Sequence, residues 1–318
     1  MKKSLILLTI GILILAFSYS NAFSWGSGTH AFGAGHIGRA LPWMNYNEIY
    51  GIMAPDLFNY SFELANNPPL YQYLRAHTHG FPGDESFLDV WRKAKYRGFQ
   101  KNLAYGYVAH NDVWGMDYTA HWKARSIATP PDFPAEFPPG YVIIKAYQLN
   151  EILKENIPQY AALNLPDGLA IEVCHNLVEA AGDILIARED KLIGKKILSA
   201  SLLRSPDFPN LLVRAIGQDY KDLILTVEKE FRKIATMLGG VLLLGEEEAI
   251  QASSEQMAEL GSEFLKLYDY DLDPALLRPL AEAGIRQAIV LCESDYINEI
   301  EATIRFVKKN LWLNDIHY

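Results

Sequence analysis

The stretch AYGYVAHNDVWGMDYTAHW, residues 104–122, decides how this chain folds. Its apolar residues recur with the helical period. At about 100° per residue, Asp117 and His121 fall roughly 20° either side of His110, so imidazole, carboxylate and imidazole share one stripe. A solvated polar face would show the same spacing, but Tyr105, Tyr107, Val108, Trp114 and Trp122 around it expect burial. A buried carboxylate between two imidazoles calls for a counter-charge, and a metal ion supplies one. Asp112 points to the other side of a continuous helix and is the poorer ligand. A break at Gly115 would bring it back.

Outward from this stretch the chain reads as helix. Period-3.6 patterns run through roughly 99–125, 141–156, 168–189, 219–238, 246–268 and 275–312, and no strand alternation lasts more than a few residues. The segment SIATPPDFPAEFPPG, 126–140, carries five prolines and is expected as an irregular surface loop. No internal repeat is present. The fold class is therefore all-α.

Of the eight histidines, seven lie between positions 30 and 175: His30, His36, His77, His79, His110, His121 and His175. Histidine clustered with Asp and Glu at helical spacings is how a metal site looks in sequence. In LAIEVCHNLVEAAGDILIA, 169–187, His175 and Glu179 stand at i and i+4 and reach one ion from adjacent turns. An ordinary surface pair has the same spacing. Asp56 in GIMAPDLF follows a proline, where a turn or cap role is common. His77 and His79 in RAHTHG face opposite sides if extended, so one of them at most meets a given ion.

The first 24 residues, MKKSLILLTIGILILAFSYSNAFS, carry two lysines, an apolar run and a small-residue end, the pattern of a secretory signal. The chain is expected to be exported, to a periplasmic or extracellular destination. Cleavage after Ala22 starts the mature chain at Phe23; cleavage after Ser24 starts it at Trp25. The net charge of −9 becomes −11 once Lys2 and Lys3 are removed. An acidic body argues against a broad nucleic-acid groove. Cys174 and Cys292 are the two cysteines, and their pairing stays open.

WGSGTH from Trp25, APD to Asp56, a histidine near 78, the His110–Asp117–His121 stripe and HNLVE from His175 together resemble the zinc-dependent phospholipase C family. That family shares its fold with fungal single-strand-specific zinc nucleases and the amino-terminal domain of glycosylphosphatidylinositol-specific phospholipase D. The resemblance implies a multi-helix bundle with a metal cleft over 25–187 and three zinc ions. It implies a mature start at Trp25, whose free amine and carbonyl chelate one zinc. It further implies His30 or His36 as a ligand, Asp56 as a bridging carboxylate, and His79 or His77 after it. His110, Asp117 and His121 would supply the central ligands, and His175 and Glu179 the last pair. The family writes its central helix H-x3-D; here position 114 is Trp, so the carboxylate falls at 112 or 117. The helical region 188–318 matches no part of it.

The expected activity is phosphodiester hydrolysis by a metal-bound hydroxide, of phospholipid head groups first, with Asp56 orienting or deprotonating the attacking water. Peripheral membrane contact is possible in that reading, through an aromatic rim of Trp43, Phe58, Tyr60, Phe62, Tyr71 and Tyr73, residues that core packing would also explain. A single-strand nuclease or nucleotidase-like phosphoesterase, and a non-catalytic zinc-containing binding protein, are the alternatives.

Overall fold

A computed structural model describes residues 25–38, 45–61, 64, 66–95 and 99–317. The expected leader, the Phe23 alternative, Trp43 and Phe62 lie outside the described residues. What is described is all-helical: α1 (Ser27–Ile37), α2 (Tyr46–Met53), α3 (Pro68–Thr78), α4 (Leu88–Lys93), α5 (Gln100–His110), α6 (Tyr141–Asn156), α7 (Pro158–Ala161) and α8 (Asp167–Glu189). Then follow α9 (Ile193–Leu203), α10 (Phe208–Ile216), α11 (Lys221–Val241), α12 (Glu246–Lys266), α13 (Pro274–Cys292) and α14 (Tyr296–Leu313). The proline-rich segment is irregular as expected. Among the described residues no helix is long and apolar enough to cross a membrane.

Two of the long helical stretches are interrupted. The one expected over 99–125 ends at His110, because Asn111 takes over the backbone groups that would continue it. Its Oδ1 accepts from the amides of Val113 and Trp114 at 2.8 Å and from Gly115 at 3.1 Å, while its Nδ2 donates to Val108 O at 2.7 Å. Such side-chain turns compete with the helix ladder. Gly115 is required there, since a Cβ would sit 2.4 Å from His110 O. The chain then resumes in a short wide turn, Tyr118–Trp122. The stretch 275–312 is likewise two helices, α13 and α14.

α2 and α5 lie backbone against backbone. A Cβ on Gly51 would meet Leu103 O at 2.1 Å, and one on Gly106 would meet Glu48 O at 2.1 Å. Only glycine allows that approach, which places the end of α5 beside the single turn Ala54–Phe58 that follows α2. α1 is buried on nearly every side, with only Gly35 and His36 exposed.

The main apolar core runs from Trp25 to Ile316 and so crosses the boundary expected at 188. Tyr296 OH meets Thr29 Oγ1 at 2.6 Å, and Thr303 Oγ1 meets Thr119 Oγ1 at 2.7 Å. A second, smaller apolar cluster of Leu169, Ala258, Phe264, Leu265 and Leu277 stands apart where α12 and α13 lean on α8. Cys174 and Cys292 are buried free thiols.

Candidate metal centre

The interrupted helix brings both carboxylates of the central stretch into use. Three buried groups of donors form, each with its ligand atoms within 4.8 Å of one another: Asp56, His79, His110 and Asp117; Asp112, Asp117 and His121; and His121, His175 and Glu179. Asp117 and His121 each belong to two groups, so the three form one continuous centre.

The donors come from six places in the chain. Asp56 arrives on the turn after α2, and Asn59 Nδ2 donates to its Oδ1 at 2.9 Å. His110 ends α5, with Nδ1 2.8 Å from Ile52 O, so that nitrogen carries the proton and Nε2 turns inward as an acceptor. His79 caps α3; its Nδ1 lies 2.8 Å from Thr78 Oγ1 and its Nε2 3.4 Å from Asp56 Oδ1. His121 comes from the wide turn, with Nδ1 2.7 Å from Asp112 Oδ1. Arg75 Nη2 in turn donates to Asp112 Oδ2 at 2.8 Å. His175 and Glu179 stand one turn apart on α8. His30 on α1 reaches Asp117 Oδ1 with Nε2 at 3.2 Å.

Several contacts have hydrogen-bond length without hydrogen-bond direction. His110 Nε2 is 2.8 Å from Asp117 Oδ2, and His175 Nε2 is 2.8 Å from Glu179 Oε1. None of these four atoms makes an in-line hydrogen bond, and all are buried. Lone pairs converging on a shared point leave polar atoms in this condition, and a cation at that point satisfies them together. The described residues can therefore hold metal ions.

The electrostatics agree. Burial pushes His30 and His79 below the ordinary histidine value. It acts the same way on His110, but Asp117 and Asp56 overcome it and raise His110 to about 9. Burial is likewise outweighed at His175, where Glu179 and Glu172 lift the value to about 10. Burial drives Glu179 well above the carboxylate range. Asp117 resists burial and is held well below that range, first by His110 and then by His30. Protons here stand in for positive charge that the carboxylates demand.

Two sequence alternatives fall outside the centre. His36 is exposed on α1, with Nδ1 2.8 Å from Phe32 O, because six positions from His30 put it on another face. His77 lies 3.0 Å from Tyr73 O through Nδ1 and rests on the Tyr73 ring; two positions before His79, it sits on the far side of α3. Both are corrections to the candidate ligand set. Trp25 is buried, but by its indole: Nε1 donates to Met116 O at 2.9 Å, and the ring lies between Tyr141 and Tyr296. The expected aromatic rim is divided, with Phe58 and Tyr71 buried and Tyr73 at the surface.

Three further residues support the centre: Asp112, which the spacing offered as an alternative ligand, and Arg75 and Asp183, which it did not flag. Asp112 and Arg75 orient His121. Asp183, one turn beyond Glu179, accepts from the amides of Gly28 at 2.8 Å and Thr29 at 2.9 Å and so anchors the start of the helix that bears His30. The i, i+4 step from Glu179 to Asp183 was the available signal. Comparisons with protein-family models, with curated proteins and with solved structures found no match to this chain.

Proposed function

We propose that the chain is an exported zinc-dependent phosphodiesterase of the phospholipase C type, with three zinc ions held by the groups above. The observation that carries this reading is the sharing of Asp117 and His121 between neighbouring donor groups, which fits ions a few ångströms apart rather than one isolated structural ion. The mixture of imidazole and carboxylate donors suits zinc, and it lacks the four thiolates typical of many closed structural sites. Zinc, when bound, supplies a Lewis acid for phosphoryl oxygens and lowers the pKa of a water near it.

The chain's own residues do the rest. Asp56, a donor of the first group, can orient a water or take its proton. Asn59 holds Asp56 in place from three residues on. Burial, followed by the charges of Asp56, Glu179 and Asp183, keeps the Tyr60 phenol protonated, and a protonated phenol can donate to an anionic substrate oxygen. A start at Trp25, which the resemblance implies, would add a free amine as a further ligand.

The test is turnover of phosphatidylcholine, single-stranded DNA and bis(p-nitrophenyl) phosphate by zinc-loaded protein. Lipid cleavage that a chelator stops, that zinc restores, and that Asp56→Ala abolishes is expected. Cleavage of none of the three by a zinc-loaded protein would turn the reading to a binding protein.

A further inference from the structure

Between the main core and the smaller apolar cluster lies a cavity of about 200 Å³. Its walls are α8, α11, α12 and α13, with Leu177, Leu238, Met257, Leu260, Phe264 and Ala281 among the lining. Three of the four helices lie after residue 188, so the cavity is largely the work of the region for which no motif gave a role. The lining also includes the polar side chains of Glu179, Asp183 and Tyr60. Glu179 is a donor of the metal centre, so the cavity and the centre share a wall.

An apolar space of this size exceeds the ~150 Å³ cavity that admits benzene and stays free of water. Met257, Leu260, Leu280 and Ala281 line it and are only partly buried, so apolar surface waits for an occupant. Methionine on two walls, Met237 and Met257, lets the lining adapt to a flexible chain. Apolar walls that end in a few convergent polar groups are the ordinary build of a small-ligand site.

We infer that this cavity takes the single apolar chain of an amphiphile whose phosphate head lies at the metal centre. The inference rests on the metal-centre reading above and narrows its substrate class to molecules that insert one chain between α8, α11, α12 and α13. The head is drawn by bound cations and by Tyr60; the tail is drawn by removal from water. Each methylene seated should tighten binding about fourfold until the cavity is full.

The experiment is calorimetric titration of the zinc-loaded full protein with inorganic phosphate and with butyl, octyl and dodecyl phosphate. Two variants fill the cavity: Ala281→Trp and Gly261→Leu. The second guards against misfolding, since nothing lies within 4 Å of a Cβ built on Gly261, and it removes a glycine from the interior of a helix. Affinity is expected to climb with chain length in the parent and to lose that climb in both variants, with zinc content and inorganic phosphate binding unchanged. Equal affinity for inorganic and dodecyl phosphate by a zinc-loaded protein would overturn the cavity inference while leaving the metal reading intact. Equal affinity for dodecyl phosphate and dodecyl maltoside would overturn the link between tail and head. A protein that binds no zinc yet still shows the chain-length climb would keep the cavity and remove the hydrolase.

Discussion

The backbone amide of Thr29 donates to Oδ1 of Asp183 across 154 positions of sequence, at 2.9 Å. This bond fastens the helix that carries His30 to the helix that carries His175 and Glu179. Burial raises Asp183 from 3.8 to about 6, against the amides of Gly28 and Thr29 that donate to it. The folded chain therefore keeps this proton to higher pH than the unfolded chain does. Stability from this group is complete below about pH 4 and declines as pH rises through 6, by on the order of 3 kcal/mol. In Asp183→Asn that decline should vanish. Denaturant midpoints at pH 4, 5, 6 and 7 in the presence of chelator measure it, and equal slopes in both proteins would refute the assignment.

Metal content should respond unequally to carboxylate removal. Glu179→Gln removes a donor from one group, whereas Asp117→Asn removes one from two groups and from the partner of His30. Elemental analysis of dialysed protein should find a larger loss in Asp117→Asn. His36→Ala and His77→Ala should retain the parent's full content. A loss in either would return those side chains to the ligand set.

Asp112→Asn and Arg75→Ala should both weaken zinc, Asp112→Asn the more because it also removes a donor from the group with Asp117 and His121. Both act on His121 through the carboxylate that holds its ring. Loss of such an orienting partner costs about 10–100-fold in metal affinity. Competition against a chromophoric chelator reads this directly, and an unchanged affinity would make the pair a structural ion bridge only.

Gly106→Ala should be costly for so small a change. Its methyl would meet Glu48 O at 2.1 Å, backbone against backbone, with no flexible atom to yield. A loss toward the upper end of about 1–3 kcal/mol is expected, with zinc affinity falling as His110 moves away from Asp56. Thermal melts of the metal-free protein separate the two effects. Gly261→Ala, with no such neighbour, is the control and should not destabilise.

The long helices over 141–156, 167–189, 221–241 and 246–266 were legible in the sequence, and so were the donors spaced by whole turns, whereas α2, α3, α9 and α10 were not read. His175 and Glu179 needed nothing beyond the i, i+4 rule. The helix α1 was hidden because it is buried on nearly all sides and shows no amphipathic stripe to count. The break after His110 depends on one amide side chain, Asn111, accepting three backbone N–H groups. That event leaves no mark in a periodicity. The stripe argument thus named His110, Asp117 and His121 together while assigning them the wrong backbone. The roles of Asp183 and Arg75 were not read, because what they hold, Thr29 in one case and Asp112 in the other, is distant in sequence, although the i, i+4 step from Glu179 pointed to Asp183.

The bond between Tyr296 and Thr29 also sets an order of assembly. Gly182 admits Tyr296, since a Cβ there would overlap its hydroxyl, and Tyr296 closes over the first described helix. In a chain made from its amino end, Thr29 meets Tyr296 only after 267 further positions have been added. Contacts of such long sequence separation are slow to form. A chain cut short before α14 would carry every donor yet lack the Tyr296 contact that holds the start of the helix bearing His30.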